Sequence, residues 1–168
     1  STGVTNLTGA SRNYNEYINT EVVTSSTPTR THDADTTGVD GDFTYFRWTG
    51  VGTGTYSANA NETAELLVIA GGGGGGTGGG EGGGGGAGGL VYYGSETPKT
   101  PNGSAISLTK GATFTATVGA GGSGATAYGA NGGNGTAGGN SSFTGSGLSL
   151  ITALGGGTGG TYPDNGAG

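Results

Sequence analysis

The residues of this chain able to do chemistry are few. The single histidine, His32, opens the acidic segment HDADTTGVDGD, which holds Asp33, Asp35, Asp40 and Asp42. Asp33, Asp35 and Gly38 fall at the first, third and sixth positions of a calcium-binding EF-hand loop, but the twelfth, where a bidentate glutamate closes such a site, is Thr44. With no helix expected on either side, the segment reads as a solvated acidic turn, a weak surface calcium site being the other reading. His32 reads as an exposed polar residue rather than a metal ligand. Glu62 and Glu65 pair two carboxylates near the start of a strand, with nothing to fix them in a cleft for acid–base work. Glu81, alone among glycines, reads as a solvent-facing side chain. One histidine and no cysteine leave nucleophilic catalysis without its usual parts, so the expectation is a non-enzymatic protein with no cofactor and no metal centre. The tyrosines are the better lead. Tyr92 and Tyr93 follow the first glycine run, and Tyr128 and Tyr162 interrupt later ones. A phenol ring offers stacking area and a hydroxyl to sugars or protein surfaces. Alternation along LVYY turns one of the adjacent pair inward, so at least one of them is a core or cover residue.

These side chains sit in an unusual background. Of 168 residues, 45 are glycine and 4 proline, a share that by itself suggests low complexity. The net charge is −6 with five Lys and Arg, which argues against nucleic acid and against an anionic membrane surface. No apolar run reaches the length of a membrane span, so membrane insertion is not expected. The absence of cysteine excludes a disulfide framework.

Residues 1–40 are polar and read as a connector or the end of a preceding shaft segment, with TSSTPTRTHDADTTGVDGD as linker or exposed loop. The character changes after residue 40, and 41–168 read as one glycine-rich domain that continues beyond residue 168. DFTYFRWT, GTGTYSA and AELLVIA carry the β-branched and aromatic residues of strands and are expected in one antiparallel sheet. LVYY, AISL, ATFTATV and LSLITAL are further strands, with Lys110–Gly111 as a tight connection. No segment has a capped helical period, so the fold class is mainly β with little or no α-helix.

Three of these strands empty into glycine: LLVIA into the run that fills 71–89, TATVGA into the glycines at 121, and LITAL into GGGTGG at 155. A flexible tether needs no strand before each run. An ordered alternative exists in the polyproline II helix, which has three residues per turn and no internal hydrogen bonds. Without side chains, such helices approach closely enough to bond one another laterally and satisfy every buried backbone group. Ordering costs roughly 1–2 kcal/mol per residue against about 0.5–1.5 kcal/mol per net hydrogen bond, so only a bundle anchored by strands holds. The expected architecture is a β-rich base followed by a bundle of these polyglycine II helices. The run LLVIAGGGGGG also contains GxGxxG, but more glycine follows where a dinucleotide site needs a helix N-terminus.

The order of LLVIAGGGGGGTGGGEGGGGGAGGLVYYG, ATFTATVGAGGSG, NGGNGTAGGNSSFTG and LSLITALGGGTGG over residues 41–168 resembles the glycine-rich domain of bacteriophage tail fibres and tail-tip adhesins. The resemblance implies stacked polyglycine II helices, a place in the virion outside the cell, and attachment to a host-surface receptor, a glycan or an outer-membrane protein. It also makes a homotrimer with other fibre subunits plausible. Under it, Tyr92, Tyr93, Tyr128 and Tyr162 become receptor-binding candidates. A structural segment of an extracellular filament, binding only its own copies, is the alternative. A third reading, an ice-binding protein, lacks the disulfides and strict triplets of that class.

Overall fold

The computed structural model describes residues 31–78, 82–95, 101–126 and 132–161. Residues 1–30, most of the expected connector, lie outside them. The described residues hold eleven strands: β1 (Thr31–His32), β2 (Thr36–Asp40), β3 (Phe43–Arg47), β4 (Gly52–Ser57), β5 (Glu62–Ala64), β6 (Leu66–Ile69), β7 (Leu90–Tyr93), β8 (Ile106–Leu108), β9 (Thr113–Val118), β10 (Ser141–Gly145) and β11 (Leu148–Ala153). No helix occurs among the described residues, and the fold is mainly β as expected.

The largest sheet has the order β11-β10-β9-β4-β1. Alternation sets its inner face: Phe114 and Ala116 of β9 are buried, while Thr113 is exposed. Phe114 pairs with Tyr56 on one side and Gly145 on the other, and its ring stacks on Phe143 at 5.8 Å with an interplanar angle of 6°. Phe114 is fully buried, and Val68, Ile106 and Leu108 close the core from β6 and β8. Burial of each such side chain stabilises the fold by about 1.5–3 kcal/mol.

The pairing corrects one expectation. Phe43–Arg47, Gly52–Ser57 and Leu66–Ile69 do not share a sheet. The first pairs with β2, the second lies between β9 and β1, and the third pairs with β7. Thr36–Asp40, read as loop, is a strand because Gly41, at φ 60°, lets a two-residue turn bring it against Phe43–Arg47. Lys110–Gly111 is a turn, with Gly111 at φ 83°, but β8 pairs with β5 rather than across it.

The glycine runs form five extended legs, 70–78, 82–89, 119–126, 132–140 and 154–161, in which hydrogen bonds recur every third residue. In leg 1, the amides of Ala70, Gly73 and Gly76 donate to the carbonyls of Gly89, Gly86 and Gly83 on leg 2 at 2.8–2.9 Å. Those of Gly71, Gly74 and Thr77 donate to Gly139, Thr136 and Gly133 on leg 4. The carbonyls of Gly72 and Gly75 accept from Gly122 and Ala125 of leg 3, and those of Gly71 and Gly74 accept from Gly156 and Gly159 of leg 5. A period of three with only lateral bonds is the polyglycine II geometry.

Leg 1 therefore stands among the other four. Legs 1, 3 and 5 leave β6, β9 and β11 and run parallel. Legs 2 and 4 run back against them and enter β7 and β10. The run 71–89 thus supplies two members of the bundle, 70–78 and 82–89, bonded to each other. Leg 4, built from GGNGTAGGN, carries side chains as well: Asn140 Oδ1 accepts from Gly155 N–H at 2.9 Å and Asn134 Oδ1 from Thr161 N–H at 3.0 Å.

Candidate functional site

The lattice holds its shape through close approach. A Cβ at Gly71, Gly74 or Gly76 would overlap the carbonyl of Ala120, Ser123 or Gly160. Among the described residues, the legs carry no acidic, basic or histidine side chain, and the titratable groups stand outside them. Two adjacent tyrosines stand at the base of the lattice.

Tyr92 and Tyr93 lie on opposite faces of β7. Tyr92 is 5 % exposed, and its hydroxyl donates to Glu65 Oε1 at 2.5 Å. Asn102 holds the same residue by its backbone, accepting from Tyr92 N–H at 2.8 Å and donating to its carbonyl at 2.6 Å. Tyr93 packs against the core, its ring lying over Gly103, where a Cβ would come 2.7 Å from Cε1. The Tyr92 backbone and the Tyr93 ring seat the 101–103 segment on the base, while the Tyr92 hydroxyl is held by Glu65. Tyr128, Tyr162 and Glu81 lie outside the described residues.

Glu62 and Glu65 are each committed to a tyrosine, Tyr56 Oη donating to Glu62 Oε1 at 2.6 Å. They are therefore two separate anchors rather than one paired site. His32 is half-buried, its ring 4.6 Å from that of Phe46, and its Nδ1 accepts from Ala34 N–H at 3.2 Å. The partly buried imidazole is thus a packing residue.

The acidic turn has a role that local sequence did not reveal. Asp33 Oδ1 accepts from the Trp48 indole at 2.9 Å and from Thr55 N–H at 2.6 Å. Asp35 Oδ2 accepts from Thr49 N–H at 2.5 Å and Gly50 N–H at 2.8 Å. These bonds favour the charged forms and hold both carboxyls below their usual range, the Trp48 bond first for Asp33 and the Thr49 amide first for Asp35. The two side chains tie the 33–35 segment to β4 and to the 48–50 turn. Among the described residues, no group of three or more His, Asp or Glu is placed to hold a metal ion.

The other exposed feature of chemical interest is the hairpin β2–β3. Its register puts Thr36, Gly38 and Asp40 opposite Arg47, Tyr45 and Phe43 on one face. Phe43 is 67 % exposed and Tyr45 44 % exposed. The opposite face carries Phe46, whose ring meets that of Tyr56 at 5.1 Å and anchors the hairpin to the core.

A strand-fed lattice of backbone hydrogen bonds with aromatic anchors at its base defines a glycine-rich structural class. The family model described as a glycine-rich domain matches residues 48–168, and the chain belongs to that family. No curated protein and no solved structure gives a significant match to the chain. The family span begins at Trp48, so the hairpin 36–47 lies outside it.

Proposed function

We propose that this chain is the glycine-rich domain of a bacteriophage tail fibre or tail-tip adhesin, a non-enzymatic part of the virion that attaches it to the host cell surface. The observation that carries this reading is the strand-fed lattice itself, in which three strands in sequence order each launch a leg and two legs return. A scaffold made of backbone is stiff and short of side chains. It therefore presents whatever joins its legs without depending on the sequence of those joins. The partner is a host receptor, a glycan or an outer-membrane protein, and neighbouring fibre subunits complete the assembly, a homotrimer being the expected form.

The test is competition. The purified chain, added to host cells before the parent phage, lowers adsorption if the reading holds. Substitutions across 94–104 and 123–137 relieve that competition if recognition lies in those segments. Unchanged adsorption at saturating chain overturns the reading.

One observation favours the filament alternative. Gly72, Gly121 and Gly124 are exposed, and a Cβ at each would make only ordinary contact, at 3.6 to 3.8 Å. Among the described residues no neighbour demands glycine at these positions, whereas another backbone lying alongside would. An open polymer in solution supports the filament; a closed trimer or a monomer supports the adhesin.

A further inference from the structure

The outer face of the hairpin Thr36–Arg47 serves neither the core nor the lattice. Phe43 and Tyr45 stand two residues apart on one strand, so both rings project from the same face. Beneath Tyr45 is Gly38, its cross-strand partner. A Cβ there would lie 2.6 Å from Tyr45 Oη and 2.7 Å from Cζ, so the ring lies over bare backbone. Glycine seats an aromatic in the same way at Gly145, under Phe114, but that ring is buried in the core. At the hairpin, protein supports one face of the ring while the other meets water. Phe43 continues the apolar strip.

Polar groups border this strip in register. Asp40 is the partner of Phe43, and the pair Thr36–Arg47 lies one step beyond Gly38–Tyr45 on the same face. An acceptor thus stands at one end, and a hydroxyl and a guanidinium at the other. A pyranose has the matching form: an apolar face of C–H groups with hydroxyls around its rim. Two rings on a two-stranded ribbon are too small for a stable protein interface, which needs about 800 Å² from each partner. Asp40 and Asp42 outnumber Arg47, which disfavours nucleic acid and sulfated or uronic-acid polymers.

We propose that this face of the hairpin binds a neutral oligosaccharide. Tyr45 and Phe43 are the stacking platform, and Asp40, Thr36 and Arg47 hydrogen-bond its hydroxyls. The site deepens the attachment reading and rests on it for the source of the sugar.

The test is a titration of the whole 168-residue chain, ¹⁵N-labelled, with cellohexaose, chitohexaose and maltohexaose, and with a sulfated hexasaccharide as the charged control. At least one neutral sugar is expected to shift the amides of 36–47 saturably at about millimolar concentration, and the sulfated one to leave them unmoved. Tyr45→Ala and Phe43→Ala each weaken binding by about tenfold or more, whereas Tyr45→Phe stays within about twofold. Gly38→Ala keeps both rings but pushes Tyr45 off its seat, and weakens binding like Tyr45→Ala. Should an alanine variant of either ring misfold, the contrast between Tyr45→Phe and Gly38→Ala decides alone. The proposal is overturned if no neutral sugar moves those amides at about 10 mM, or if binding survives the loss of either ring. Sugar binding without any effect of the chain on phage adsorption would keep the site and remove the attachment reading; the converse removes the site alone.

Discussion

Gly84 and Gly85 are neighbours of identical chemistry that the lattice treats in opposite ways. A Cβ at Gly84 meets nothing within 4 Å, whereas one at Gly85 would overlap the Gly73 carbonyl. Gly85→Ala is expected to destabilise the protein by about 2–3 kcal/mol through overpacking. Gly84→Ala is expected to be neutral or stabilising by about 0.4–1 kcal/mol, because alanine narrows the unfolded ensemble. Urea denaturation of the two variants gives both values, and equal values would contradict the packing. A second residue-scale expectation concerns Asp33 and Asp35, whose folded pKa values are lowered from 3.8. Their contribution to stability is present above pH 3.8 and is lost as pH falls through the lower folded values. Trp48 donates its indole N–H to Asp33, so its fluorescence should change over that acidic window, and Asp33→Asn should remove the change.

At the scale of elements, the lattice makes a pattern that a tether lacks. In leg 1 the amides of Gly71, Gly73, Gly74, Gly76 and Thr77 are lateral donors, whereas Gly72 and Gly75 take part through their carbonyls. Hydrogen exchange should therefore be slow, slow and fast in repeating triplets along 71–77. Uniformly fast exchange would refute the lattice. Much of this architecture was legible beforehand. The strands at 43–47, 52–57, 66–69, 90–93, 106–108, 113–118 and 148–153 follow from alternation and β-branched content. Their partners did not follow, because strand pairing here is settled by the legs: β6 and β7 meet only because legs 1 and 2 fold on each other between them. The glycine runs hold no strict triplet, yet non-glycine residues of the returning legs keep a spacing of three. Ala87 and Leu90 are three residues apart, and so are Asn134, Ala137 and Asn140 in turn. Asp33 and Asp35 were visible as acids, but their roles depend on Trp48, Thr49, Gly50 and Thr55, which only the fold brings near.

For the whole molecule, base and bundle hold each other. Every leg is continuous with a strand, and the apolar core lies among those strands, around Phe114 and Phe143. Polyglycine alone lacks the burial needed to offset its entropy, so the legs depend on that core. Phe114→Ala is expected to cost about 3–5 kcal/mol. Protection of the Gly73 and Gly74 amides should vanish at the same denaturant concentration as that of Ala116 in β9; legs that outlast the sheet would show independent stability. The placement of leg 1 has a mechanical consequence as well. Among the described residues its backbone bonds run laterally, and they reach each of the other four legs. Tension applied along the legs, between the strand-bearing end and the far end, is therefore shared by every cross-link at once in shear. No single bond can open ahead of the rest, as one does when a sheet is peeled from its edge. A bundle cross-linked in this way is expected to yield abruptly rather than strand by strand.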